Sequence, residues 1–158
     1  MEALYFEDYE PGSRFRTRRR TLTEADLSSF VGVTGMFESL FIDRDAAEAA
    51  YGGRLVPGAL TYAFSEGLVI QEGVLHDRGL AFLSVTIRAE RPVFVGDTLS
   101  VEVETTGKRH TRRPDRGVVE TTHRVLNQRD EVVMLLQMAR MIRRRPPAPA
   151  DARAGGGR

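Results

Sequence analysis

Ala59-Leu-Thr-Tyr-Ala-Phe-Ser-Glu-Gly-Leu-Val-Ile-Gln-Glu-Gly-Val-Leu75 is the stretch whose reading decides the fold. Its polar residues are only Thr61, Ser65, Glu66, Gln71 and Glu72, too few for a surface helix. Gly67 and Gly73 allow neighbouring backbone to approach closely. A helix that is apolar nearly all round is a buried one, so another part of the chain must wrap it. Glu66, two turns into that helix, then needs a partner, and an arginine from the wrapping element would serve.

The sequence downstream supplies the wrapper. Leu83, Val85, Ile87 and Ala89 alternate with Ser84, Thr86, Arg88 and Glu90, the period-2 pattern of a half-buried strand. Pro92 and the Gly96-Asp97 turn end it. Leu99, Val101 and Val103 alternate in the same way with Ser100, Glu102 and Glu104. A basic loop from Gly107 to Gly117 leads to a third strand near Val118–Leu126, and Asn127-Gln-Arg-Asp130 turns the chain again. The last strand, Val132 to Met141, is almost continuously apolar, which predicts a central or twice-covered position.

Upstream, Leu4 to Ser13 is an irregular lead-in with a Pro11-Gly12 turn, and Phe15 to Thr21 is predicted as a strand. Thr23 is a plausible N-cap, with Glu24 and Asp26 in the first turn where the helix dipole favours acids. Leu27, Phe30, Val31 and Thr34 follow at helical spacing. An irregular loop, Thr34–Ile42, separates this helix from a short one, Ala46 to Tyr51, which Asp43 can cap and Gly52-Gly53 stop. The expected architecture is α+β, a curved antiparallel sheet of about five strands wrapped around a long central helix. One domain is expected over residues 1–145. The Pro/Ala/Gly-rich stretch 146–158 reads as a disordered tail. A sheet edge left open by this strand count favours pairing with a second copy, so a homodimer is expected.

Composition narrows the function. The chain has 158 residues and no cysteine, which excludes disulfides, thiolate catalysis and cysteine-bound metals. No apolar run approaches the ~18 residues of a membrane span. Met1-Glu-Ala-Leu-Tyr-Phe-Glu-Asp has no basic segment followed by an apolar one, so no signal peptide is read and a cytoplasmic location is expected. Net charge is +1, yet Lys108 is the only basic residue of the 23 that is not arginine. A sequence pI of about 8.2, with no aromatics interleaved among the arginines, does not fit a nucleic-acid binder. The arginine runs read either as solvated strand ends or as phosphate receptors, since the guanidinium fork matches phosphate oxygens. His76, His110 and His123 lack metal-ligand spacing, and no metal is expected. His123 reads as a satisfied residue within a strand.

Several segments, taken in order, resemble the MaoC-like hot-dog dehydratases, which include the (R)-specific enoyl-CoA hydratases. They are Tyr5-Phe-Glu-Asp8 with Pro11-Gly12, Thr21-Leu-Thr-Glu-Ala-Asp26, Phe30 through Thr34-Gly35, and Asp43 with the alanine helix. Gly52-Gly-Arg-Leu-Val-Pro-Gly58, Arg91-Pro-Val-Phe-Val-Gly-Asp-Thr98 and Asn127-Gln128 complete the set. The resemblance spans about residues 4–142 and implies a single hot-dog fold. It also implies reversible hydration of a 2-enoyl thioester, with coenzyme A as part of the substrate and no separate cofactor. In the family an Asp and a His from one loop handle the water, and a backbone N–H at the start of the central helix polarises the thioester carbonyl. Gly58 stands where that donor belongs; a helix N-terminus offers unpaired N–H groups to developing negative charge.

The loop departs from the family pattern Gly-Asp-x-Asn-Pro-x-His-x-Asp. Gly35 and Asp43 remain, but Met36 stands for the Asp, Glu38 for the Asn, Ser39 for the Pro and Phe41 for the His. Pro57 replaces the His that often precedes the helix glycine. Neither Met36 nor Phe41 can exchange a proton. Glu38 is the one new ionisable group in the loop, and burial among Met36, Phe37 and Phe41 would make it a general base. Asp43 is a further candidate but reads more simply as a helix cap. The expected substrate contacts are Met36, Phe37, Phe41 and Pro57 around the acyl thioester. Arg112 and Arg113, from the basic loop that also holds Arg109 and Arg116, are the expected contacts at the coenzyme A phosphates. Two rivals stay open: a catalytically degenerate subunit that binds an acyl thioester or partners an active hot-dog paralogue, and an acyl-CoA thioesterase using a carboxylate such as Glu66.

Overall fold

The computed structural model describes residues 1–147. All but the first two residues of the expected tail 146–158 therefore lie outside the described residues. The chain opens with a 3-10 turn at Phe6–Asp8, then β1 (Arg14–Arg16) and β2 (Arg20–Thr21). Helices α1 (Glu24–Thr34), α2 (Ser39–Ile42), α3 (Arg44–Tyr51) and α4 (Gly58–Gln71) follow. Four long strands end it: β3 (Gly79–Ala89), β4 (Thr98–His110), β5 (Arg116–Leu126) and β6 (Val132–Arg143). The sheet is antiparallel throughout, in the order β1-β4-β5-β6-β3, with β2 also on β4. This is the expected α+β hot-dog arrangement, with six strands rather than about five.

The difference in count has a local cause. The predicted strand Phe15–Thr21 breaks at Thr17, whose buried hydroxyl accepts from Val101 N at 2.9 Å and donates to Arg18 O at 2.8 Å. Arg18 N then leaves the ladder to donate to Glu72 Oε1, at the end of α4, at 2.8 Å. The backbone returns to β4 only at Arg20.

The helix boundaries follow their caps. Thr23 and Asp26 form a capping box at the start of α1, and Gly35 ends it at φ 72°, a left-handed conformation that glycine adopts without strain. Asp43 Oδ1 accepts from Asp45 N and Ala46 N, capping α3 as expected. The segment read as an irregular loop contains the one-turn helix α2, held by Ile42 N to Glu38 O and Asp43 N to Ser39 O. The central helix is shorter than the apolar run that announced it: Gly73, at φ 81°, stops it at Gln71 rather than Leu75.

The core lies between α4 and the concave face of the sheet. Leu60, Phe64, Leu68 and Val69 of the helix meet Val101, Val103, Val125, Met134, Leu136 and Met138 in one buried cluster. Two expectations fail here. The helix is covered on one side only, and Ala59, Ala63 and Ile70 on its other face are exposed, because one sheet of this width shields one face of a cylinder. β3 is not half-buried either. It is an edge strand with β6 as its single neighbour, and Phe82, Leu83 and Ile87 are 50%, 43% and 45% exposed. The central position predicted for β6, between β5 and β3, holds.

Candidate functional site

The N-terminus of α4 opens into the feature that most resembles an active site. Pro57 occupies the N-cap with backbone dihedrals φ −56° and ψ 140°, and it has no side-chain acceptor to cap the helix. The first-turn N–H groups therefore stay open. Thr61 N closes the first backbone bond to Pro57 O at 3.0 Å, and Thr61 Oγ1 donates to the same oxygen at 3.4 Å. Gly58, exposed, faces a cleft of about 340 Å³ that is also lined by Tyr51, Thr61, Glu90, Arg91 and Met134. A side-chain carbon at Gly58 would stand 4.0 Å from the Met134 methyl group, so the backbone here lies against the cleft wall with room for little more than a methyl. Unpaired N–H groups, the positive end of a fourteen-residue helix and an apolar wall are what a thioester oxygen acquiring negative charge requires.

The loop residues take other places. Glu38 is the exposed N-cap of α2, and Phe37 beside it is 65% exposed, so within one chain the expected burial of Glu38 among Met36, Phe37 and Phe41 is absent. Met36 is half-buried, and Phe41 packs on the main core. None of the four lines the Gly58 cleft. Pro57 is fully buried beneath it. Asp43 is occupied as the cap of α3. Arg112 and Arg113 sit in the β4–β5 hairpin at the opposite end of the sheet, where Gly117 pairs with Ile142, whereas Gly58 abuts Met134.

Tyr51, Glu90 and Arg91 are the ionisable cleft residues that sequence reasoning did not single out. Glu90 accepts from Arg88, and Glu90 N donates to Val133 O at 2.9 Å. Arg91 lay in view inside the Arg91–Thr98 segment, but the contact that brings it beside Gly58 is tertiary.

A second polar group lies deeper. Arg140 of β6 pairs with Glu66 of α4, the arginine expected for that carboxylate. Behind them His123 is 2% exposed, with Nε2 at 3.0 Å from Thr121 Oγ1. Burial, reinforced by the Arg140 charge, pushes its pKa down to about 3, so the imidazole is neutral at physiological pH. Burial also pushes Tyr9 up to about 12. These groups belong to the interior and stand outside the Gly58 cleft. Among the described residues no three His, Asp or Glu side chains gather as a metal ion would need, and no helix is long and apolar enough to cross a membrane.

The chain is similar to known proteins in sequence and in structure. The family model described as MaoC like domain matches residues 7–127. Protein MaoC of Klebsiella aerogenes is 35% identical over 120 residues, which cover 73% of this chain and 34% of that protein. The (R)-specific enoyl-CoA hydratase of Aeromonas caviae is 29% identical over 123 residues, 77% of this chain and 87% of that one. The crystal structure of the MaoC-like dehydratase from Rhodospirillum rubrum matches with a TM-score of 0.81 at 30% identity, covering 91% of this chain and 99% of that one.

Proposed function

The chain belongs to the MaoC-like dehydratase family, and on that premise we propose that it acts on an acyl-CoA thioester, adding water to a 2-enoyl-CoA or removing it from the hydroxyacyl product. The observation that carries this reading is the open Gly58 N–H at the head of α4, set in a cleft of about 340 Å³. As water adds to the β-carbon, electron density moves onto the thioester oxygen. A hydrogen bond from Gly58 N–H, with the helix dipole behind it, stabilises that oxygen more than the ground-state carbonyl. The two-fold mate completes the molecule: the exposed edge of β3 offers unpaired backbone groups that another β3 satisfies, and the bare face of α4 lies beside it. In that homodimer Glu38, on a loop open to solvent in the single chain, takes the proton-handling part left by Met36 and Phe41.

Purified protein is incubated with short 2-enoyl-CoAs and the loss of enoyl-thioester absorbance is followed, with the Glu38→Gln variant in parallel. Turnover that falls at least ~100-fold in the variant supports Glu38 as general base. Turnover equal in both removes Glu38 and leaves the thioester reading standing.

A second reading is favoured by Met36 and Phe41 themselves, which cannot exchange protons. In it the chain binds acyl-CoA without turning it over, alone or beside an active hot-dog paralogue. Tight acyl-CoA binding with no hydration of any enoyl-CoA selects it. The thioesterase reading through Glu66 has less support, because Arg140 engages that carboxylate away from the Gly58 cleft.

A further inference from the structure

Resting on the reading of the Gly58 cleft as a thioester site, we infer that Arg91 selects an acyl group bearing a second carboxylate. The substrate class is then the coenzyme A monothioester of a short dicarboxylic acid, with its carbonyl at Gly58 and its free carboxylate at Arg91.

The first observation is charge. The cleft wall holds two charged residues, Glu90 and Arg91, and is otherwise apolar or neutral. Glu90 is taken, because its carboxylate accepts from Arg88 Nε. Arg124, the next cation along the outer groove, is held by Glu102 and Glu104. Arg91 borders both that groove and the cleft, is exposed, and forms no ion pair among the described residues. Glu131 feels its charge, but hydrogen bonds from Asn127 and Arg129, at 2.8 and 2.9 Å, already hold that carboxylate. The backbone that presents Arg91 is fixed: its N–H donates to Val133 O at 3.2 Å, and Pro92 follows with a locked φ. A fixed, unpaired guanidinium at the rim of an apolar cleft is suited to one planar anion, held by two parallel hydrogen bonds.

The second observation is size. An acyl-CoA offers two kinds of anion, the coenzyme A phosphates and a carboxylate on the acyl group itself. The pantetheine arm keeps the phosphates away from the carbonyl: about a dozen bonds separate the sulfur from the first of them, roughly 14 Å when extended. The cleft holds about 340 Å³, and a sphere of that volume is only about 9 Å across. With the carbonyl at Gly58 the phosphates therefore fall outside the cleft that Arg91 borders. A carboxylate a few carbons beyond the carbonyl stands roughly 5 Å from it and falls inside. The apolar part of the wall, with Val56, Val133 and Met134, suits the methylene carbons between the two ends.

The test is calorimetric titration of the purified full chain with glutaryl-CoA and with hexanoyl-CoA, which is of similar length and lacks the second charge. The pantetheine thioester of each acid, which lacks the coenzyme A phosphates, is titrated in parallel. Arg91→Met keeps the length of the side chain without its charge; Arg91→Gln replaces it if circular dichroism shows that the first variant does not fold. Wild type is expected to bind glutaryl-CoA at least ~10-fold more tightly than hexanoyl-CoA, as a charge-assisted hydrogen-bonded pair requires, and to keep that ratio with the pantetheine thioesters. In Arg91→Met the ratio collapses while the affinity for hexanoyl-CoA stays at the wild-type value. Equal binding of the two CoA thioesters by wild type overturns the inference, since the guanidinium is then engaged elsewhere. A preference that survives in the variant overturns it as well. So does a loss in the variant that is the same for both acyl groups and vanishes with the pantetheine thioesters, which places Arg91 at a phosphate. If folded wild type binds neither CoA thioester, the thioester reading itself fails; if it binds hexanoyl-CoA as well as glutaryl-CoA, only the dicarboxylate inference does.

Discussion

Arg140 on β6 and Glu66 on α4 form an ion pair between the sheet and the central helix, with side chains 14% and 15% exposed. Glu66 Oε1, the oxygen that this pair leaves over, is buried without a partner. The pair is thus a tie that becomes costly when cut on one side. Arg140→Met strands a buried carboxylate and is expected to destabilise the fold by about 3 kcal/mol, whereas Glu66→Leu with Arg140→Met removes both charges and loses far less. Urea unfolding of the two variants checks this, and a single-variant loss below about 1 kcal/mol would contradict it.

His123 makes stability depend on pH in a defined window. Its folded pKa, about 3, lies below the ordinary value of 6.5, so the unfolded chain binds the proton first as pH falls. The contribution of the neutral buried ring is therefore fully present above pH 6.5 and is lost progressively from there down to about pH 3. Linkage gives a loss of about 2 kcal/mol at pH 5 relative to neutrality. His123→Gln, which cannot titrate, is expected to flatten this part of the stability profile. Parallel slopes for variant and wild type between pH 7 and pH 5 would show that the ring protonates freely in the fold.

How far the sequence anticipates this molecule depends on the range of the interaction. The buried side of α4 is legible because Leu60, Phe64 and Leu68 leave no room for a surface helix, and the middle position of β6 follows from its apolar run. The Thr23 and Asp43 caps were readable because their partners lie within three residues. The break at Thr17 was not, since it depends on Glu72, far along the chain. The alternation in β3 predicts a half-buried strand, yet the same pattern arises whether the apolar side meets its own chain or another. The site shows the same limit: Gly58 is placed by its helix, but Arg91 and Met134 reach it only through the folded sheet.

Gly117 and Phe6 define a close approach that tolerates no side chain. A carbon added at Gly117 would overlap two carbons of the buried Phe6 ring, far inside van der Waals contact, so the ring must shift to admit it. The neighbours of that ring, Tyr9, Val119 and Ile142, form a small second core that fixes the N-terminal segment to the sheet. Gly117→Ala is expected to cost about 2 kcal/mol through overpacking, and Phe6→Leu in the same chain should recover part of it. Chemical denaturation measures both, and an unchanged midpoint in Gly117→Ala would mean that the ring yields without strain.

Gly58→Pro isolates the hydrogen bond on which the thioester reading rests. Proline at the first helical position lacks only an N–H that has no helical partner, and its fixed φ suits that position. Pro57, at φ −56° and ψ 140°, already has the extended conformation that a following proline demands. The fold should therefore survive while the donor to the oxyanion disappears. Loss of one such donor typically lowers turnover about 100- to 1,000-fold, so kcat for enoyl-CoA hydration is expected to fall by that order while the melting temperature stays close to wild type. Gly58→Ala, which keeps the N–H and adds a methyl group 4.0 Å from Met134, serves as the steric control and should retain most activity. Equal losses in both variants would assign the effect to crowding of the cleft. A fall confined to proline would assign it to the N–H.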